Sequence, residues 1–121
     1  MFFGCNLSEF DLSSFNTFNV TDMYSMFEWC QGLTNLDLHN FTTISVENMA
    51  RMFLGCTNLR KLNIPGFVTG AVSTSQYTSY FGSSARYGNG VDNMFDLCNY
   101  LQITDCSSDM ILEAYRNRKM N

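Results

Sequence analysis

The sequence predicts a single α/β domain built as a short solenoid of about three to four coils, with parallel strands on one face and short helices on the other. Three observations carry this. The motif MFxxC occurs four times, at Met1 to Cys5, Met26 to Cys30, Met52 to Cys56 and Met94 to Cys98, at intervals of 25, 26 and 42. The apolar pattern downstream returns in step, as Leu7, Phe10, Leu12, Phe15, then Leu33, Leu36, Leu38, Phe41, then Leu59, Leu62, Ile64, Phe67. And the chain has 121 residues, room for one core or a short repeat stack but not for two domains. A period near 25 residues is the signature of a solenoid.

Each coil opens on a strand. In Leu36-Asp37-Leu38 the alternation puts both leucines on one face and Asp37 on the other, and Glu9 to Ser13 and Lys61 to Pro65 repeat it. The segment Val46, Met49, Met52, Phe53, Cys56 has apolar spacings of 3, 3, 1 and 3, which stripe one side of a helix of two to three turns. Asn19 and Ser45 stand where an N-cap acceptor is wanted, Asp22 and Glu47 in the first turn, and Gly55 where such a helix ends. One coil alone cannot offset about 1 to 2 kcal/mol of backbone entropy per residue, so neighbours must stack. Stacking turns repeated side chains into ladders: Phe15, Phe41 and Phe67 in one, Cys5, Cys30 and Cys56 in another. On the outward strand face it lines up Glu9, Asn35 and Lys61, then Asp11, Asp37 and Asn63, then Ser13, His39 and Pro65. Such columns form a flat recognition surface.

The repeat is interrupted between Phe67 and Val91 by an insertion of about 16 residues relative to the 26-residue interval. This loop, at about 68 to 90, is rich in Tyr, Ser and Gly with Arg86, the composition of adaptable binding loops, and Tyr77, Tyr80, Phe81, Arg86 and Tyr87 are its candidate contact residues. The alternative is an irregular linker whose aromatics cover the end of the core. After Cys98 the alternation fades through Leu101, Ile103 and Cys106. Ser107-Ser108-Asp109 then opens a helix with basic residues in its last turns and Met110, Ile111, Leu112, Ala114 and Tyr115 on its buried side. The organisation is thus a solenoid over 1 to 106 with the inserted loop, and a capping helix or tail over 107 to 121. The first coil has no comparable cap, which invites end-to-end association.

The unit MFxxC-xxL-xxLDLxxF preceded by Asn19-Val20-Thr21-Asp22-Met23 resembles the BspA-like leucine-rich-repeat surface proteins, including the lipoprotein-associated repeats of mycoplasmas. The likeness covers residues 1 to about 67 and returns at Val91 to Leu101. It implies a leucine-rich-repeat fold and an extracellular adhesion or host-interaction module, at the cell surface or secreted. An export or lipid-anchor signal usually precedes such repeats, and no signal peptide or anchor is read in this chain, so a short relative or a fragment of a longer surface protein is the expectation.

Composition narrows the chemistry. Seven Lys plus Arg against eleven Asp plus Glu give a net charge of −4 and little attraction for phosphate, so nucleic acid is not an expected partner. Polar residues interrupt every apolar run, so no membrane insertion is expected. Polarity comes instead from 13 Asn, 12 Ser and 10 Thr, and the glycosylation sequons at Asn6, Asn19 and Asn40 are what such a composition yields by itself. The cysteines recur once per coil beside core Met and Phe without any CxxC pair, which reads as buried small hydrophobes rather than a metal site, with a disulfide between Cys98 and Cys106, or between ladder neighbours, left open for an exported protein. Asp11 and Asp37 offer too few oxygens for a calcium site. Asp37 and His39 make one pair and no triad, so no enzyme and no cofactor are expected.

The expected function is a non-enzymatic interaction module binding a protein or glycoprotein ligand. Its contact residues would be Asp11, Asp37, His39, Lys61 and Asn63 on the strand face and the aromatic loop. The alternative is a structural spacer or terminal fragment of a longer repeat surface protein, with no binding site of its own.

Overall fold

A computed structural model describes Gly4, residues 12 to 72 and residues 90 to 120. It has mixed α/β structure. Three short strands, β1 (Asn35–Asp37), β2 (Lys61–Asn63) and β3 (Gln102–Asp105), form one parallel sheet in the order β1-β2-β3, and one helix, α1 (Asp109–Arg116), follows. The register pairs Asn35 with Lys61, Leu36 with Leu62 and Asp37 with Asn63, as the repeat alignment predicts. Across β2 and β3 it starts at Lys61 with Gln102 and ends at Asn63 with Asp105, so one extra residue is taken up in a bulge. That slip explains why the alternation fades after Cys98. Of the three predicted strands, Glu9 to Ser13 lies mostly outside the described residues.

The apolar side of the strands faces a continuous core of Leu36, Leu38, Leu62, Ile64 and Leu101 with Phe27, Phe53 and Phe95 of the MFxxC motifs. Phe27, Phe53 and Phe95 stack with centroids 5.6 Å apart at both steps and rings within 5° of parallel. Phe41 and Phe67 are buried as the predicted ladder requires, but Phe15, its first member, is 39% exposed. Tyr115 of α1 meets Phe95 edge-on at 6.0 Å, so the helix closes the stack.

The predicted helices opposite the strands are not formed: among the described residues α1 is the only α-helix. Residues 23 to 30 and 49 to 56 run instead as successive tight turns. The N–H groups of Met23, Ser25, Phe27 and Trp29 donate to the carbonyls of Asn48, Ala50, Met52 and Leu54 in the next repeat, while those of Met26, Glu28 and Cys30 bond three residues back. The next repeat does the same, with Met49, Arg51, Phe53 and Gly55 reaching Gly90, Asp92, Met94 and Asp96. A helix would turn every N–H back on its own segment, whereas here alternate donors leave it for the neighbour. A helix of two turns is marginal by itself, so the stacked arrangement prevails. The left-handed backbone comes at fixed places, φ near +57° at Ser25, Arg51 and Asn93 and near +60° to +77° at Trp29, Gly55 and Leu97. Asn19 and Ser45 therefore cap no helix, and the Asp22 carboxylate accepts the Tyr24 N–H within its own turn.

Two further ladders tie the repeats together. Thr17 and Thr43, both buried, each donate to and accept from one backbone residue of the next repeat: Thr17 Oγ1 with Thr42 at 2.9 Å in both directions, Thr43 Oγ1 with Val68 at 2.6 and 2.7 Å. Thr69, the next in the series, lies 3.3 Å from Ser108 Oγ, the N-cap of α1. Cys56 and Cys98 donate their thiols to the carbonyls of Phe27 and Phe53, at 3.1 and 3.0 Å.

Helix α1 starts where Ser107-Ser108-Asp109 predicts. Ser108 Oγ accepts the Ile111 N–H, Asp109 lies in the first turn and Arg116 in the last. Ile111 is fully buried and Ala114 and Tyr115 pack on the core, but Met110 points outward, 36% exposed. Beyond the helix the Leu97 N–H donates to Lys119 O at 2.8 Å. This continues the series Gly4 to Glu28, Trp29 to Leu54 and Gly55 to Asp96, so the tail takes the place of a further repeat.

Candidate functional site

The parallel sheet fixes the outward side chains of the strands in rows, and the repeat alignment decides which residues share a row. Asp37, Asn63 and Asp105 lie in one, Asn35, Lys61 and Gln102 in the other. All of these but Gln102, together with Leu36 and Thr104, line a shallow groove of about 570 Å³ across the sheet.

The Asp37 row is tied by its own hydrogen bonds. Asn63 Nδ2 donates to Asp37 Oδ1 at 3.0 Å, and Thr104 Oγ1 donates to Leu62 O at 3.2 Å and lies 3.5 Å from Asn63 Oδ1. Asp37 Oδ1 also accepts the His39 N–H at 3.0 Å, and His39 Nδ1 lies 3.2 Å from Asp37 Oδ2. The Asn63 amide holds the Asp37 carboxyl below the usual carboxylate range, against an opposing push from desolvation, with the His39 backbone and imidazole adding to the lowering. Asp37 and His39 are both more than half exposed, so this pair orders the surface more than it stabilises the fold.

Four of the predicted contact residues, Asp37, His39, Lys61 and Asn63, are thus brought to one surface. Asp11, Tyr77, Tyr80, Phe81, Arg86 and Tyr87 lie outside the described residues. Asn35, Thr104 and Asp105 join the groove unforeseen. Asp105 was in principle legible, since it stands seven residues after Cys98 as Asn63 does after Cys56. The buried Thr17 and Thr43 and the half-buried Thr69 were equally legible, at intervals of 26.

The cysteines belong to the core. Cys30, Cys56 and Cys98 are buried with free thiols, and Cys106 is half-buried and free. Burial raises the Cys56 thiol far above its ordinary range and pushes Cys98 up to about 12, so neither is a nucleophile in the folded chain. Among the described residues no group of three or more His, Cys, Asp or Glu is placed to hold a metal ion, and no helix is long and apolar enough to cross a membrane. Opposite the strands, buried Glu28 accepts Ser25 Oγ at 2.7 Å and pairs with Arg51 Nε at 3.0 Å, which fixes the turns rather than offering a site.

No curated protein and no solved structure matches the chain. A family model does, over residues 1–94, which includes three of the MFxxC motifs and the Met94 that opens the fourth. The chain belongs to the family described as Mycoplasma protein of unknown function, DUF285.

Proposed function

We propose that the chain is a short leucine-rich-repeat solenoid serving as a non-enzymatic interaction module of a surface or secreted protein. It binds a protein or glycoprotein partner through the strand face, with the insertion between Phe67 and Val91 as a second contact element. The observation that carries this is the groove across β1, β2 and β3, in which side chains from three successive repeats stand in register and in reach of one ligand. The likeness to BspA-like repeats and the family membership support the surface setting. The core cysteines and the isolated Asp37–His39 pair favour binding over catalysis.

The test is saturable binding of the intact chain to immobilised extracellular-matrix and cell-surface glycoproteins, beside a Lys61→Ala/Asn63→Ala variant and a chain with residues 73–89 replaced by a Gly-Ser linker. Loss of binding in the strand-face variant, with the unfolding transition unchanged, supports the assignment. Loss only on replacing the insertion moves the site there. No binding by any folded form leaves the chain a structural spacer.

A further inference from the structure

The groove also carries information about what it takes. Its lining is polar, with the short side chains of Asn35, Asp37, half-exposed Asn63, Thr104 and Asp105 beside the longer Lys61, while its one apolar residue, Leu36, is buried. Protein partners draw most of their affinity from aromatic, Arg or aliphatic anchors seated in desolvated pockets, and the lining of this shallow groove presents no exposed aromatic or aliphatic side chain to meet one. Its charges are two carboxylates and one ammonium, mixed within a few ångströms of strand spacing. Lys61 opposes a polycation and the carboxylates oppose a polyanion. What complements such a surface is a ligand without net charge that both donates and accepts hydrogen bonds.

The arrangement of those groups narrows it further. The Asp37, Asn63 and Thr104 side chains are held by one another and by the backbone, so their rotamers are set before a ligand arrives. Among the described residues Asn35, Lys61 and Asp105 spend no side-chain hydrogen bond on the fold. An amide both donates and accepts, a carboxylate accepts from two hydroxyls and an ammonium donates three bonds, the set that engages neighbouring hydroxyls on a ring. Resting on the binding function proposed above, we infer that the groove takes an uncharged oligosaccharide, so that the module recognises the glycan of a glycoprotein rather than its polypeptide.

The experiment places the intact 121-residue chain on immobilised neutral, sialylated and sulfated oligosaccharides, and on matrix glycoproteins before and after enzymatic deglycosylation. The expected result is saturable binding to neutral glycans, lost on deglycosylation. It should weaken at least about tenfold in Asn63→Ala and separately in Asn35→Ala, both with unchanged unfolding transitions, and change little with salt because no counterions are released. Binding that survives deglycosylation, with none to the glycans, overturns the inference and leaves the protein-binding function standing. Binding confined to sialylated or sulfated glycans, with a steep salt dependence, overturns the uncharged ligand. Absence of binding to every surface overturns both this inference and the function on which it rests.

Discussion

The strand side and the turn side of each repeat solve the same stacking problem in opposite ways. On the strand side only three or four residues per repeat pair, and every side chain between the buried leucines points outward. On the turn side the backbone alternates strictly between its own turn and the next repeat, and Met49, Met52, Phe53 and Cys56 are fully buried. The turn side fixes the spacing and register of the repeats, and the strand side is thereby free to vary its outward residues. A ladder with buried hydrogen bonds and stacked rings is costly to alter at any rung, whereas an exposed row of Asn, Asp and Lys is not. The scaffold and the proposed binding surface are thus divided between two faces of one repeat.

Substitutions should separate these faces by magnitude. The largest effect is expected at the centre of the ring stack: Phe53→Ala removes a ring that touches both Phe27 and Phe95 and should cost about 3 to 5 kcal/mol by denaturant unfolding. A loss below about 1 kcal/mol would mean the stack does not hold the repeats together. Next is Gly55, where φ is +77° and an added Cβ would fall 2.3 Å from Trp29 Cε3. Gly55→Ala should cost roughly 1 to 2 kcal/mol for the left-handed backbone plus the clash. In a Trp29→Ala background only the backbone part should remain, which a double-mutant cycle measures.

Thr43→Val keeps the shape but strips a hydroxyl that both donates to and accepts from Val68, and should cost about 1 to 3 kcal/mol. The thiol ladder predicts a pH effect. Cys98 is raised from 9.0 to about 12 in the folded chain, so the unfolded thiol ionises first and the folded state holds the extra proton. Stability is full below pH 9 and falls between about pH 9 and 12, by about 1.4 kcal/mol per pH unit for each such thiol. Alkaline unfolding curves of wild type and Cys98→Ala check this, since the variant should lose part of the slope. The smallest effect belongs to the strand face, where Asn63→Ala should change stability by no more than about 0.5 kcal/mol. A larger loss would mean the groove is part of the scaffold.

The same division decided what could be read from the sequence. Leu36 and Leu62 announce their strands because a two-residue alternation has one structural solution, and their register follows from the 26-residue interval. Ser108 and Asp109 announce α1 because a cap and an acidic first turn are local chemistry. The turn ladder was misread as a helix because spacings of 3, 3, 1 and 3 bury one side of either form. What separates them is the left-handed backbone at Ser25, Arg51 and Asn93, and none of these is glycine, so composition is silent there. The Asp37–Asn63 neighbourhood was legible from the aligned column, whereas Thr104 beside Asn63 was not, because it depends on the bulge between β2 and β3.

The way the tail meets the last repeat also bears on how the molecule can change in size. Lys119 supplies both a carbonyl to Leu97 and an N–H to the Asp96 carboxylate, and Ser108 and Tyr115 meet Thr69 and Phe95, so the segment acts as a terminator for that edge. A duplicated 26-residue unit placed between Cys30 and Cys56 would insert one more rung and widen the groove by one strand, about 4.8 Å, with the terminator untouched. The same unit placed after Lys119 would find that edge already occupied. Length is therefore a quantity that duplication can edit upstream of Cys98, and each edit resizes the groove in steps of a single strand.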